Sequence, residues 1–293
     1  MGYGLFFVGI IFGIDRVQRR RLLAKTKERM RLQAAEHRAE TAELQARAVQ
    51  AENERKTKEL EEARALQLSM LPKELPQLPN LDIAVYMQTA TEVGGDYYDF
   101  HVALNGTLTV VIGDATGHGM KAGTMVTAAK SLFNSYAPNP DILYSFQEIT
   151  RCIRQMNFGK LSMCMTMLKI QGDKLTMSIA GMPPAFIFRK ETQVVEEHLF
   201  QAMPLGTMEK FPYEIKDTTL KAGDTILLMS DGLPELAQNG GEMYGYKRIR
   251  NGFEDIAEQP PEDIISFFKE QGASWVNNAD PDDDVTFVVI KVK

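Results

Sequence analysis

Cysteine is scarce in this 293-residue chain: Cys152 and Cys164 are the only two. No cluster of His and Cys surrounds them, so a disulfide framework and a thiolate-bound zinc site are both excluded. They read as buried reduced thiols of a cytosolic domain. An excess of positive charge is also missing. The formal net charge is −6, so the chain lacks the basic surface that nucleic-acid binding requires, and no nucleic-acid partner is expected. No apolar run reaches the roughly 20 residues that a membrane-spanning helix needs. Residues 2–14 come nearest: they carry no charge, and Asp15 and then Arg16, Arg19, Arg20 and Arg21 follow at once. The run has no small-residue cleavage site, which excludes a secretory signal. Basic residues directly after an apolar run fit the cytoplasmic end of a span. Residues 1–21 are therefore expected to be the end of a membrane span, its earlier part lying outside this sequence, plus a basic juxtamembrane stretch.

Glycine and proline are absent from 22–71, where Ala, Glu, Arg, Gln, Lys and Leu dominate. This composition predicts one long helix or two consecutive ones. A heptad fits with first core positions at Leu32, Ala39, Ala46, Asn53, Leu60 and Gln67, and second core positions that include Ala35, Val49 and Met70. The seam is mostly apolar but rich in alanine. Asn53 is the kind of core polar residue that fixes register and partner number. A parallel dimeric coiled coil is expected, and with it a homodimer. Pro72, Pro76 and Pro79 then end the rod and form a proline-rich junction over 72–80, since proline cannot continue a helix. From 81 to 293 the chain alternates short apolar runs and turns. Strands are expected in runs such as "LDIAVYM", "TLTVVIGD", "MCMTMLKI", "DTILLMSD" and "DVTFVVIKV", and helices over 121–136, 141–157 and 261–276. Tight turns such as "QGDK" and "KAGD" indicate antiparallel pairing, and strands on either side of a helical pair indicate an α+β domain.

Four aspartates stand where these strands begin or end. Asp96 lies in "EVGGDYYDF", Asp114 in "VVIGDATGHGM", Asp231 in "ILLMSDGLPE" and Asp283 in "DPDDDVTFVVI". Singly, each fits a turn or a helix cap. Four in this order, three of them beside glycines that bare the backbone, suit a hard cation. A site with oxygen donors alone selects Mg²⁺ or Mn²⁺ over zinc.

The succession "GGDYYDF", "GDATGHGM", "SDGLPE" and "DDVTF" resembles the metal-dependent protein phosphatases of type 2C. It is most similar to their bacterial branch, typified by the stage II sporulation phosphatase E and the RsbU stress phosphatase. The likeness runs from about Leu66 to the C-terminus and includes "ALQLSMLP", "IAGMPPAF" and "MPLGT". It implies a sandwich of two antiparallel sheets flanked by helices. It also implies two ions, Mn²⁺ or Mg²⁺, with Asp114 bridging both. Asp231 and Asp283 would complete the ligands of the first ion, and Asp96 and the carbonyl of Ala115 would hold the second. Asp114 and Asp231 would be the catalytic carboxylates, and Asp284 has no assigned part.

The implied reaction is hydrolysis of a phosphoserine or phosphothreonine protein, of anti-anti-sigma (STAS) type, by metal-activated water. The catalytic domain would lie in the cytoplasm, attached to the inner face of the bacterial membrane. Thr116 stands where the branch has Ser, and Met182 and Pro183 where it often has His or Asn. His118 is expected to support the turn rather than act as general acid, because the histidine of eukaryotic relatives aligns nearer Thr116. Two other readings differ in class. The same fold can serve as a non-catalytic or regulated signalling module. "GGDYYDF" also resembles the diguanylate-cyclase hairpin, but Tyr97 and Tyr98 replace its acid–Phe pair. A histidine kinase would need glycine-rich nucleotide boxes, and none follow His37.

Overall fold

The structure, a computed structural model, describes residues 2–90, 93–238 and 241–293; for residues 2–12, 14 and 15 only the backbone is described. The chain divides into two units, Met1–Glu59 and Leu60–Lys293. Helix α1 (Gly2–Ser69) is continuous, as expected for a stretch whose 22–71 portion holds no helix breaker. Its surface carries i,i+4 ion pairs such as Glu43–Arg47 at 2.6 Å and Glu52–Lys56 at 2.8 Å. Exposed pairs of this kind add only ~0.3–0.5 kcal/mol each. Leu32 and Val49 of the heptad seam are each 58% exposed. No helix among the described residues is long and apolar enough to cross a membrane. Apart from Gly13, the side chains of the expected span end lie outside the described residues.

The second unit is a two-sheet sandwich. One sheet has the order β1 (Leu81–Gln88), β10 (Val285–Val292), β9 (Thr225–Met229), β6 (Ala185–Arg189), β7 (Val194–His198). The other has β2 (Asp96–Val102), β3 (Leu108–Ala115), β4 (Met163–Gln171), β5 (Lys174–Ala180), β8 (Lys216–Thr219). All pairings are antiparallel. Between the sheets, Leu108, Val110 and Ile112 of β3 pack with Leu228 of β9 and Val288 and Ile290 of β10. On the outer side of the second sheet lie α2 (Met120–Tyr136) and α3 (Ile142–Gln155), which bury Met125, Phe133 and Phe146 against Val111, Met165 and Met167. On the outer side of the first lie α4 (Tyr246–Ile256) and α5 (Pro261–Trp275), packing Phe253 and Phe268 on Leu227 and Phe287. A strand covered on both faces has no polar side to show. That is why β9 and most of β10 read as continuous apolar runs rather than alternating ones.

The expected α+β sandwich is thus the observed architecture, but two elements go unmarked by sequence pattern. β7, "VVEEH", is a short edge strand with Val194 46% exposed. α4 anchors itself through two buried residues, Ile249 and Phe253, with Gly252 between them. The run "YEIKDTTL" over 213–220 pairs as a strand only over Lys216–Thr219.

Candidate functional site

Antiparallel pairing gathers the acids at one end of the sandwich. β2 starts with Asp96 directly opposite Asp114 near the end of β3. β9 ends at Met229, two residues before Asp231, and β10 begins at Val285, immediately after Asp283 and Asp284. Because β9 and β10 are antiparallel neighbours, the end of one meets the start of the other.

The two sheets are stitched together at this end by hydroxyls. Ser230 Oγ and Thr286 Oγ1 donate to Asp96 Oδ2 at 2.7 and 2.5 Å, and all three side chains are essentially buried. Asp284 does something different. Its Oδ1 accepts from the Ala90 amide at 2.8 Å, and its Oδ2 from the Gly95 and Asp96 amides at 2.6 and 3.2 Å. Asp284 is therefore the carboxylate that shapes the loop delivering Asp96. Asp283 is exposed beside it and accepts the Asp284 amide at 2.8 Å.

Two glycines allow this crowding. A Cβ on Gly95 would lie 2.7 Å from Asp114 Oδ1 and 3.0 Å from the Ala115 carbonyl oxygen. The Ala115 amide also donates to the Gly95 carbonyl at 2.9 Å. A Cβ on Gly232 would lie 2.0 Å from the Asp284 carbonyl oxygen. The turn after β3 is clamped by Thr116, whose Oγ1 accepts the Ser162 amide at 2.9 Å. His118, in that turn, is exposed and makes no hydrogen bond among the described residues.

The electrostatics are one-sided. Burial, followed by the charges of Asp231 and Asp283, raises the Asp114 carboxyl to about 8. Burial, then Asp283 and Glu235, raises Asp231 to about 6. Asp96 is pushed well above the carboxylate range by burial and by Asp114, against the opposing pull of Thr286 and Ser230. Cys164, opposite Asp114 on β4, is raised to about 12 by burial and by Asp114 and Asp231, which makes it an inert thiol. Such a cluster stores repulsion that a cation relieves.

The donor set, carboxylates plus the Ala115 carbonyl, fits a hard divalent cation. Even so, among the described residues no three His, Cys, Asp or Glu side chains converge as a metal-holding group. Asp96 is committed to two hydroxyls and Asp284 to three backbone amides. Asp96, Asp114, Ala115, Asp231 and Asp283 are brought to one rim, with Asp96 turned toward Ser230.

Four residues at the rim escape the sequence reading. Ser230, Thr286 and Glu235 sit inside the motifs but carry no signal of their own. Gln67 does carry one, as a polar residue at a heptad core position. It is 4% exposed, donates Nε2 to the Gly94 carbonyl at 2.7 Å and accepts the Gly94 amide at 3.1 Å. The last turns of α1 therefore grip the loop that leads to Asp96.

Residues 105–293 match the family described as Stage II sporulation protein E (SpoIIE). The phosphoserine phosphatase RsbU of Bacillus subtilis (strain 168) is 27% identical over 187 residues, covering 62% of this chain and 55% of that protein. The chain thus spans little more than half of that relative's length. Among solved structures, the SiaA-PP2C domain of Pseudomonas aeruginosa superposes with a TM-score of 0.72 at 19% identity, over 82% of this chain and 98% of that one. RsbX in complex with magnesium gives 0.58 at 15% identity, over 75% and 99%. At these identities the two structures establish the PP2C fold.

Proposed function

This chain belongs to the stage II sporulation protein E (SpoIIE) family, and we propose that it is a metal-dependent serine/threonine protein phosphatase, the output domain of a bacterial signalling protein. The observation that carries this reading is the convergence of Asp96, Asp114, Asp231 and Asp283 on one rim. There the carboxyls of Asp96, Asp114 and Asp231 are raised, first by burial and then by neighbouring acids.

In this reading Asp114, Asp231 and Asp283 would hold one ion, and Asp96 and the Ala115 carbonyl, with Asp114 shared, would hold the other. Two divalent cations, Mn²⁺ or Mg²⁺, would supply an acidified water and neutralise phosphate charge. The chain's own part is positioning. Asp284 holds the Ala90, Gly95 and Asp96 amides, Gly95 lets Asp114 and the Ala115 carbonyl come close, and Asp283 is exposed at the rim. The relative RsbU is described as a phosphoserine phosphatase, which supports a phosphoserine or phosphothreonine substrate. The resemblance noted above favours a substrate of anti-anti-sigma type.

We assign 81–293 to the phosphatase domain. Residues 22–71 are assigned to a dimeric signalling helix, and 1–21 to attachment at the inner face of the cytoplasmic membrane. A regulated site is the second reading, favoured by the commitment of the Asp96 carboxylate to Ser230 and Thr286. The test is manganese-dependent phosphate release from a phosphoserine peptide. Asp231→Asn is expected to lower turnover at least ~100-fold with the fold intact, since metal-assisted attack supplies several kcal/mol. Turnover near that of the wild type would remove the assignment.

A further inference from the structure

At the other end of the β3–β4 ladder lies a second polar feature that the phosphatase reading does not use. Thr109, Lys169 and Thr176 stand side by side on β3, β4 and β5. They share the outer face with Val111, Met165 and Met167, and the C-terminal end of α2 closes over the first two, the Ala137 carbonyl accepting from Thr109 Oγ1 at 3.3 Å. Asp114 is five residues along β3 from Thr109, so the acidic rim is ~17 Å away.

Lys169 is only 6% exposed. Its Nζ donates to Thr109 Oγ1 and to the Ala137 carbonyl, both at 2.7 Å. Both partners are neutral. The Ala137 carbonyl caps the C-terminus of α2, and its dipole compensates a fraction of the ammonium charge. Among the described residues no carboxylate pairs with Lys169. The nearest acid in this cross-strand row, Asp217 on β8, is held by Thr176 Oγ1 at 2.6 Å and by Lys174 at 3.3 Å. Buried charges are normally paired. Burial alone lowers this lysine to about 8, and a bound counter-ion would restore it.

Lys169 borders a cavity of about 340 Å³. Its polar wall is Asn105, Thr107, Gln171, Lys174 and Thr176, with no acidic residue in the lining. Two lysines over a wall of amides and hydroxyls match an anionic group with hydrogen-bonding substituents. The volume exceeds that of a simple inorganic ion, since one water's share of liquid is ~30 Å³.

We propose that this cavity is a binding site for a small hydroxylated organic anion, a phosphate monoester or a carboxylate, held by Lys169 and Lys174. The site is independent of the phosphatase assignment and stands if that assignment fails.

Amide resonances of the full-length labelled chain, kept in EDTA so that phosphate has no metal to bind, test it. The probes are inorganic phosphate, glycerol 3-phosphate and malate. Saturable shifts at Thr109, Ala137, Lys169 and Thr176, with none at Asp114 or Asp231, are expected with a dissociation constant of about 1 mM or tighter for the ester or the carboxylate. Whichever probe binds identifies the class. Lys169→Met should weaken binding at least ~10-fold, the worth of one charge-assisted hydrogen bond. Should that variant fail to fold, Lys174→Glu, at an exposed position, should weaken binding by a similar factor. The proposal is overturned if no probe gives saturable shifts at these amides up to about 50 mM. It is equally overturned if binding survives unchanged in the folded variants, or if inorganic phosphate alone binds, as an adventitious ion only.

Discussion

Replacing Asp114 with asparagine should stabilise the metal-free protein while abolishing its activity. The Asp114 carboxyl sits at about 8 in the folded chain, against an ordinary value of 3.8. A raised carboxyl binds its proton more tightly folded than unfolded. Its ionisation therefore opposes folding progressively as pH rises from about 4 to about 8, and the penalty is absent below that window. At pH 7 the full penalty is ~4 kcal/mol. The rim opens to solvent through the exposed Asp283, so a third to a half of that, ~1.5–2 kcal/mol, is the realistic expectation. Asparagine keeps the shape and removes the charge.

For a domain of this size the gain corresponds to a melting temperature ~3–8 °C higher than wild type in EDTA at pH 7. The difference should shrink toward zero near pH 4. Saturating manganese should reverse the order, because an ion present at 100 times its dissociation constant would stabilise the wild type by ~2.7 kcal/mol and the variant lacks the carboxylate proposed to hold it. Differential scanning calorimetry across pH, with and without metal, reads all three outcomes. A variant that melts below the wild type in EDTA at pH 7, or a difference insensitive to acid, would refute the account of the rim as stored carboxylate repulsion.

Other perturbations probe the elements around this rim. Asp96→Ala should raise the manganese concentration needed for half-maximal phosphate release, with partial recovery in excess metal. An unchanged metal dependence would make Asp96 a structural acceptor for Ser230 and Thr286. Gly95→Ala forces a methyl within 2.7 Å of Asp114 Oδ1, so it should cost ~1–3 kcal/mol of stability and most of the activity; wild-type melting and turnover would contradict the close approach. Gln67→Ala removes both hydrogen bonds to Gly94 and should change turnover several-fold while leaving the melting temperature of Leu60–Lys293 within a few degrees, about 1–2 kcal/mol. Asn53→Leu should tighten a dimer and shift basal activity. Sedimentation showing a monomer at tens of micromolar (the range in which weak coiled coils pair), with activity unaltered, would reduce α1 to a tether.

Asp96, Asp114, Asp231 and Asp283 were legible as a set because each sits where a strand meets a turn, the first three beside a glycine and Asp283 in an acidic, proline-containing turn. That junction is a local pattern, and local patterns survive in sequence. Antiparallel pairing then does the gathering, since it sets strand ends beside strand starts. The residues that hold the acids in place are set by long-range contact and leave no local trace. Ser230 and Asp96 are separated by 134 positions, Thr286 and Asp96 by 190, and the Asp284 carboxylate and the Ala90 amide by 194. A serine after a strand and a second acid before one look like ordinary turn residues.

The elements that escaped, β7 and α4, failed for a related reason. Each is short and fixed by one or two anchors on a surface built elsewhere; α4 is amphipathic, but it is polar on the whole and buries only Ile249 and Phe253. Gln67 lies between these cases. Its heptad position marked it as buried in some interface, and the polar side chain marked it as specific, but the pattern names no partner. Its partner, the Gly94 backbone, is two residues from Asp96. An amide gripping both the N–H and the C=O of one glycine sets where that glycine can sit, and Asp284 grips the next two amides from the other side. The Asp96 loop is therefore held between α1 and the start of β10. A shift in the last turns of α1 would act first on the loop that carries Asp96, which is why Gln67 is expected to alter turnover more than it alters stability.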